Sequence, residues 1–385
     1  MASGDRTNKI AIELHRERCL HVRSVKSHCS LCSDSCPGGA IKLESGEPSL
    51  DSSHCMQCGQ CLTACPLEVF ESPTFTERQL VNRIDSDGSI AISCYLPYGQ
   101  LESLSRGVRT YQLGACLASL SPGVLFELCL TRSCELLTDR CADCRLFKRL
   151  RPTFEANVLA AFRMLHGVRS AANLQESQPL FLPRIDERQV ETIISEASIS
   201  SSIRALFCKN RTSNVLEGRA PLALRQKSKH VPLWRSRVRD LWFEHGFSAS
   251  GACDFAWPEL VVDHSRCRAC GVCMQMCPTG SICHSLVDGQ FVSSFTPGTC
   301  ANCGLCLAVC PEGALHRQYR PFTHPFLATD TLTRPARRCA RCGMPVLENL
   351  GDALCVPCEA SAHRKPLVER IREQLGVQSP KDKGE

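Results

Sequence analysis

The sequence predicts an α+β fold that is assembled from several small cysteine-bearing units, and three observations predict it. Four cysteine motifs of similar spacing occur as two pairs, one within residues 19–72 and one within residues 260–317. The segment between the pairs combines short apolar stretches of strand length with helical patterns, which is typical of a small α/β layer with helices. A last pair of C-x2-C hooks follows the second motif pair, which predicts a small metal-held module.

The later motif pair has the clearer spacing. Both of its copies read C-x2-C-x2-C-x3-C-P, the spacing by which proteins hold cubane iron–sulfur clusters. The first three thiols of a copy lie on a tight loop, whereas the fourth lies one helical turn further on and points towards the neighbouring cluster. One cluster would therefore be held by Cys267, Cys270, Cys273 and Cys310. The other would be held by Cys300, Cys303, Cys306 and Cys277.

The earlier motif pair repeats this pattern with one ligand displaced. Its second copy is complete, and its first copy has Lys26 where the first thiol is expected. The missing thiol is most simply Cys19, although His21, His28 or a three-iron cluster without that corner are alternatives. The predicted ligands of the first cluster are Cys19, Cys29, Cys32 and Cys65. Those of the second are Cys55, Cys58, Cys61 and Cys36.

The residues after the fourth cysteines carry a family resemblance. They read Pro-Gly-Gly-Ala-Ile, Pro-Leu-Glu-Val-Phe, Pro-Thr-Gly-Ser-Ile and Pro-Glu-Gly-Ala-Leu. Together with the cysteine spacing, they resemble the bacterial-type ferredoxins that bind two 4Fe-4S clusters. The resemblance implies two ferredoxin-like dicluster units, each with two hairpin strands and two short helices around its clusters. Glu68 departs from the pattern, because it stands where the family has glycine.

The segment between the two units predicts a small α/β layer. Residues 89–94 and 111–117 read as strands, residues 100–106 as a helix, and Ser121 and Pro122 begin a further helix. The layer would bring four cysteines to one edge as a metal site, either zinc or iron–sulfur: Cys94, Cys116, Cys141 and Cys144. The alternative is that Cys94 and Cys116 are buried apolar residues, as we predict for Cys129 and Cys134. This layer loosely resembles small iron–sulfur subunits that link hydrogenases to other redox modules.

Two amphipathic helices and a basic linker are predicted before the second dicluster unit. The helices cover residues 152–176 and 186–207, and the basic run at 204–240 reads as an irregular linker that offsets the negative charge of the clusters. A docking surface for an acidic partner is the alternative reading of this run. The aromatic residues of 242–257 would pack the second unit onto the rest of the chain.

The C-terminal hooks predict a zinc-ribbon-like module. Two C-x2-C hooks converge on one tetrahedral ion, and zinc is favoured over a rubredoxin-like iron. The four ligands would be Cys339, Cys342, Cys355 and Cys358. A short helix at 366–375 and a tail at 379–385 would follow.

These predictions divide the chain into six regions. They are a dicluster unit at 1–75, an α/β segment at 86–150, a helical region with the basic linker at 151–240, a second dicluster unit at 250–320, the ribbon-like module at 335–360, and a helix and tail at 361–385.

Composition favours a cytoplasmic metalloprotein. The 29 cysteines come as closely spaced hooks, and the sequence shows neither an export signal nor an apolar run long enough to span a membrane. The formal charge of +6 counts every cysteine as neutral. Four clusters and one zinc site would bring the net charge to about −4, because bound sulfur is thiolate. We therefore expect no nucleic-acid partner.

The function predicted from these motifs is electron transfer. The sequence has no phosphate-binding glycine loop, no dinucleotide fingerprint and no H-E-x-x-H pair. Four 4Fe-4S clusters and one zinc, with a second zinc left open, predict an iron–sulfur relay or subunit. It would serve a cytoplasmic oxidoreductase such as a formate dehydrogenase or hydrogenase. The alternatives are a redox enzyme with substrate at an incompletely ligated cluster, and a cluster-based regulatory or assembly factor.

Overall fold

The computed structural model describes residues 10–44, 46–84, 88–94, 108–138, 140–172, 229–247, 255–321, 324–348 and 354–362. The predicted helices at 100–106, 186–207 and 366–375 lie outside these residues. None of the helices within the described ranges is long and apolar enough to cross a membrane.

The N-terminal unit is built from two short antiparallel pairs of strands and three short helices. In chain order its elements are β1 (Glu13–Leu14), α1 (Leu20–Arg23), α2 (Leu31–Ser35), β2 (Ile41–Glu44), β3 (Glu47–Leu50), α3 (Gln60–Ala64) and β4 (Phe70–Glu71). Strand β1 pairs with β4, and β2 pairs with β3. Helices α2 and α3 each end just before a fourth motif cysteine, because the proline that follows cannot continue a helix.

A small α/β layer follows helix α4 (Glu77–Arg83). Its elements are β5 (Ile90–Ser93), β6 (Arg109–Gln112), α5 (Pro122–Thr131), β7 (Cys134–Leu136) and α6 (Phe147–Ala172). The strands form a parallel sheet of order β6-β5-β7. As predicted, α5 is capped by the Ser121 hydroxyl, which accepts a hydrogen bond from the Val124 amide. Cys129 and Cys134 are buried, as predicted.

Two predicted boundaries in this layer are wrong. The predicted strand at 111–117 is shorter, because β6 ends at Gln112 and a 3-10 turn occupies Leu117–Ser119. Helix α6 begins at Phe147 rather than at Pro152. Proline is tolerated this close to the helix start because packing of the apolar face against α5 offsets one lost hydrogen bond.

The end of the predicted basic linker is also helical. Helix α7 (Leu233–Glu244) packs on α5, and its Arg237 forms an ion pair with Glu127 of that helix at 2.7 Å. Trp242 is buried against Phe255 and Phe326 in edge-to-face contacts. The aromatic residues therefore do pack the second unit onto the layer, with Trp242 on helix α7 and Phe255 beyond it. The irregular linker predicted for residues 233–240 is wrong, because this segment is helical.

The second dicluster unit repeats the first and carries an additional sheet. Its elements are β8 (Glu259–Val262), α8 (Val272–Met276), β9 (Ile282–Val287), β10 (Gln290–Phe295), α9 (Leu305–Val309) and β11 (Leu315–Gln318). The C-terminal module adds β12 (Thr329–Arg338), β13 (Pro345–Leu347) and α10 (Val356–Ala362). Strand β12 joins β10, so that a four-stranded sheet of order β13-β12-β10-β9 holds the module against the unit.

Candidate metal centres

Six groups of cysteines are candidate metal centres, and each is named here by its residues. The four groups from the ferredoxin-like motifs are the Cys19 site (Cys19, Cys29, Cys32, Cys65), the Cys55 site (Cys36, Cys55, Cys58, Cys61), the Cys300 site (Cys277, Cys300, Cys303, Cys306) and the Cys267 site (Cys267, Cys270, Cys273, Cys310). The other two are the ribbon site (Cys339, Cys342, Cys355, Cys358) and the sheet-edge site (Cys94, Cys116, Cys141, Cys144).

The four cysteines of the Cys19 site line one pocket. Burial, together with the nearby thiolates of Cys65, Cys29 and Cys19, raises the pKa of the Cys32 thiol to about 12. Cys19 therefore lies in the same pocket as Cys29 and Cys32 of the first motif. Cys65, the fourth cysteine of the second motif, also reaches this pocket.

The backbone explains why the first ligand of this site comes from elsewhere. In the other three motifs the residue before the second cysteine has positive φ: Gln57, Ala269 and Asn302. In those motifs the residue after that cysteine is a glycine with φ between 75° and 77°. The first motif has Ser30 there instead, with φ −127°. The loop that presents a first thiol is thus absent, and the turn that precedes α1 supplies Cys19.

The other three sites converge in the same way. Burial raises the pKa of Cys61, and the nearby thiolates of Cys58, Cys55 and Cys36 raise it further. The members of the Cys300 site line a second pocket. In the Cys267 site, burial together with the charges of its three partners raises the pKa of Cys273 to about 12.

These four sites fit cysteine-ligated clusters. Several of their thiols are buried and mutually repulsive, so that burial and repulsion together keep the pKa of Cys32, Cys65, Cys273 and Cys303 near 12. Such thiols can lose their protons together only when a metal takes the place of those protons. Equivalent fourth cysteines also accept backbone hydrogen bonds, from Ala40 to Cys36 and from Ala314 to Cys310, each at 3.3 Å.

Glu68 has a role that its departure from the glycine pattern indicated but did not identify. Its φ is 49°, so it adopts the left-handed conformation that glycine takes in the other three copies. Its carboxylate accepts hydrogen bonds from the backbone of Leu233, at 2.7 Å, and pairs with the His230 ring, at 2.9 Å. The strained residue therefore ties the N-terminal unit to the segment that starts helix α7.

The two dicluster units meet through an apolar interface between the Cys19 and Cys300 sites. Leu20, Leu67, Leu305 and Val309 are buried there in one cluster, and Cys29, Cys65 and Cys303 pack against it. Arg23 is also buried at this interface. Burial lowers its pKa, whereas the thiolates of Cys303 and Cys277 raise it.

Basic side chains surround the Cys300 site, and two of them, Lys229 and Arg235, belong to the basic run that the sequence predicts to offset the charge of the clusters. The buried Arg235 lies between the rings of Trp234 and Trp257, at 4.6 and 4.4 Å from their centroids. Burial raises the pKa of Cys300, and Arg235 opposes that rise. The Lys229 ammonium donates to the carbonyl of Cys277 at 2.6 Å, and Arg317 lowers the pKa of Cys303 against the effect of burial.

His284 is a polar neighbour of the Cys267 site that the sequence did not indicate. The ring of His284 lies 3.6 Å from the Cys273 sulfur, measured from Nε2, and packs edge-on against Phe291. Burial lowers the pKa of His284 to about 4, so the ring is neutral at neutral pH. A neutral ring can donate one hydrogen bond to the thiolate.

The ribbon site has the geometry of a closed metal cage. Its four sulfur atoms all lie within 4.8 Å of one another, and within the described residues no other group of three or more His, Cys, Asp or Glu ligands is so compact. Tetrahedral zinc with bonds of about 2.3 Å requires sulfurs about 3.8 Å apart. The amide of Cys355 donates to the Cys339 sulfur at 3.3 Å and lowers the pKa of that thiol to about 6.

The sheet-edge site is brought together in part. Cys116 lies close enough to Cys94 and Cys141 for their charges to raise its pKa. Cys144 closes the hook, and its amide donates to the Cys141 carbonyl at 3.1 Å.

Comparison with known proteins agrees with the two cluster-binding regions. A family described as a 4Fe-4S dicluster domain matches residues 27–69, and one described as a 4Fe-4S binding domain matches residues 260–283. An uncharacterized ferredoxin of Methanocaldococcus jannaschii is 36% identical over 64 residues. That match covers 15% of this chain and 42% of the relative, so the chain spans less than half of that protein's length. Cys19 lies outside the first matched region.

The chain therefore carries two ferredoxin-like regions that match 4Fe-4S cluster-binding domains. The C-terminal four-cysteine group adds a further candidate metal site.

Proposed function

We propose that the protein is a multi-cluster relay that exchanges electrons with a redox partner of the dehydrogenase or hydrogenase type. Four 4Fe-4S clusters would be held at the Cys19, Cys55, Cys300 and Cys267 sites. When bound, such fully ligated clusters supply one-electron transfer and leave no iron position open to a substrate.

The observation that carries this proposal is the interface between the Cys19 and Cys300 sites. Cys29 and Cys65 of one unit and Cys303 of the other pack on the same buried apolar group. An independent pair of domains would have no need to bury ligand cysteines against each other. The interface instead supports a chain of sites that runs through both units.

The residues of this interface have identifiable tasks. Leu67 and Leu305 are 2% exposed, so they exclude water from the space between the two sites. Exclusion of water lowers the solvent reorganisation that accompanies each change of charge. Glu68 holds the N-terminal unit against the start of α7 through Leu233 and His230. Together these contacts would fix the separation of the two units.

We assign zinc to the ribbon site, with a structural role. Its four thiols form a closed cage with no open position, as structural zinc sites do. The module is continuous with β12, which pairs with β10 of the second dicluster unit. Zinc would therefore stabilise that unit without taking part in electron transfer. Sites that need so many reduced thiols favour a reducing compartment such as the cytoplasm.

The first test of this function is a reductive titration of the anaerobically purified chain. We expect about 16 iron and 16 labile sulfide from the four sites, and at least about four electrons taken up per chain. Reduced protein should pass those electrons to a one-electron dye without consuming any substrate. A chain that holds the iron but cannot be reduced and reoxidised contradicts the proposal.

The second test concerns the partner. Oxidised protein is mixed with formate or hydrogen in an anaerobic extract of its native host, and its absorbance bleaching is followed. We expect bleaching that requires the corresponding dehydrogenase or hydrogenase and that disappears when that enzyme is removed. Recovery of the chain with nucleic acid, without any reduction by either donor, would instead support a regulatory role.

A further inference from the structure

The carboxyl edge of the parallel sheet collects cysteines from all three strands. Strands β5, β6 and β7 are parallel, so their carboxyl ends lie along one edge. Cys94 follows β5 directly, Cys116 follows the end of β6 at Gln112, and Cys141 follows the end of β7 at Leu136. Backbone hydrogen bonds continue the pairing of β5 with β6 and with β7 past the last paired residues. The Leu113 amide donates to the Ser93 carbonyl and the Leu137 amide to the Ile92 carbonyl, both at 2.9 Å.

Two of the thiols at this edge have the same apolar surroundings. Cys94 and Cys116 are partly buried against one apolar cluster, which also contains Cys58. Cys144 follows on the same hook as Cys141, and its carbonyl accepts from Phe147 at the start of α6 at 3.0 Å. The start of α6 therefore fixes the hook in place.

The spacing of these thiols differs from that of the ribbon site. At the ribbon site all four sulfurs lie within 4.8 Å of one another, whereas no three of the sheet-edge thiols, all of them within the described part of the chain, are so close. Thiolates on a cubane lie farther apart because each binds a different iron. The four ferredoxin-like sites share this wider arrangement, since they too form no such compact group among the described residues.

The sheet-edge site lies directly against the Cys55 site. The amide of Cys116 donates to the Cys58 carbonyl at 3.0 Å, so one hydrogen bond joins two candidate ligands. The Thr63 hydroxyl donates to the Ala118 carbonyl at 2.8 Å beside it. Gly59 permits this approach, because a Cβ there would lie 2.8 Å from Cβ of Ser119. These contacts place the sheet-edge site next to the Cys55 site, where a cluster could exchange electrons with it.

We propose that Cys94, Cys116, Cys141 and Cys144 hold an iron–sulfur cluster that extends the relay beyond the Cys55 site. This inference deepens the proposed electron-transfer function and rests on it. The N-terminal half would then hold three clusters and the chain five. Four cysteines can bind either a two-iron or a four-iron cluster, and the iron count identifies which is present.

The test begins with elemental analysis of the full chain purified anaerobically. We expect about 18 or 20 iron per chain, that is, two or four more than the four ferredoxin-like sites require, together with about one zinc. Mössbauer spectra of the same sample count the clusters without the need for any variant. A total of about 16 iron with about two zinc would overturn the inference and leave the proposed function standing.

Two variants locate the additional iron. The variants are Cys144→Ser, in the C-x2-C hook, and Cys94→Ser, just after β5. They are chosen because the backbone hydrogen bond to Cys58 comes from Cys116 and not from either of these residues. Each should remove the same two or four iron, leave zinc unchanged and abolish one set of EPR signals of the reduced protein. Cys129→Ala is the matched control, because Cys129 is buried in the same layer but lies on α5. That control should retain all of the iron.

The results distinguish the two proposals. Loss of zinc, or no loss of either metal, from both Cys144→Ser and Cys94→Ser overturns the sheet-edge cluster. If a variant does not fold, as judged by circular dichroism, the Mössbauer count of the unmodified chain decides. A chain with far less than about 16 iron, or one that cannot be reduced, contradicts the electron-transfer function itself.

Discussion

The two dicluster units share one scaffold but surround their thiols differently. In the N-terminal unit the Cys19 site lies in a cavity lined by apolar side chains such as Leu43, Val69 and Phe70. In the second unit the Cys300 site has Arg235 and Lys229 beside it. Hydrogen bonds, charge and solvent access to the sulfurs set the potential of a cluster. We therefore expect the Cys300 site to have a higher reduction potential than the Cys19 site, so that electrons collect there.

The units also differ in what holds each of them in place. The N-terminal unit packs on the α/β layer, takes Cys19 from outside its motif and is tied down by the strained Glu68. The second unit keeps all of its ligands within its motifs and gains a four-stranded sheet that ends in the ribbon site. The comparison teaches that the cysteine spacing sets the ligand loops, whereas neighbouring modules set the stability and charge around them.

Loss of the displaced thiol should give the largest effect. Cys19→Ser is expected to lower the iron content by about one to four per chain, because the site loses a corner and then either keeps three irons or dissociates. EPR of the reduced protein should lose or alter one cluster signal.

Lys26→Ser is the matched control, since Lys26 occupies the motif position that lacks a thiol. It should leave both the iron content and the EPR unchanged. An unchanged spectrum for Cys19→Ser would mean that another residue holds that corner.

Removal of the ribbon site should affect one unit only. The double variant Cys342→Ser, Cys358→Ser is expected to lose its zinc and at least about 3 kcal/mol of stability in the second unit, because metal binding is coupled to folding. Elemental analysis measures the zinc, and calorimetry measures the unfolding transitions. The N-terminal unit should keep its iron.

Cys283→Ser is the control, because Cys283 is an exposed thiol on β9. Equal destabilisation of both units would contradict this division.

Substitutions of Glu68 test whether its hydrogen bonds to His230 and Leu233 offset the strain of its positive φ. Glu68→Ala should destabilise the protein by about 1–3 kcal/mol, because its two hydrogen-bond partners lose their acceptor while the residue at this position stays strained. Glu68→Gly should cost about 1 kcal/mol less than alanine, because glycine adopts positive φ freely. Chemical denaturation of the anaerobic protein measures both values.

The equivalent position in the second unit is Gly313, whose φ is 56°. Gly313→Ala should therefore cost about 1 kcal/mol with no loss of attachment. Equal stabilities of the alanine and glycine variants at position 68 would show that the backbone there is not strained.

Arg235 should have the smallest and most local effect. Arg235→Gln keeps a donor for the carbonyls of Pro297 and Gly298 but removes the buried charge. The reduction potential of the Cys300 site should fall by about 60 mV, which is about 1.4 kcal/mol for one electron. EPR-monitored redox titration measures it. Arg239→Gln, at an exposed position on the same helix, should leave every potential unchanged. A shift at the Cys19 site instead would contradict the proposed contrast between the units.

The sequence by itself predicted which thiols of the two dicluster units come together. Cysteine spacing is local, because a C-x2-C-x2-C loop and the helical turn that follows fix which thiols lie near one another. The crossing of Cys65 and Cys277 to partner motifs could therefore be predicted, and so could the helix capped by Ser121. The family matches support the two cluster-binding regions themselves.

Only the tertiary structure decided which charges surround the sites and how the units meet. From the sequence, Glu68 was only a residue that replaces the family's glycine. Its contacts are with Leu233 and His230, which are distant in sequence. Arg235 read as part of a basic linker until helix α7 buried it beside Cys300. Periodicity and spacing describe neighbours within one element, whereas these contacts join elements far apart in the chain. For that reason the sequence could predict where iron binds but not how its potential is set.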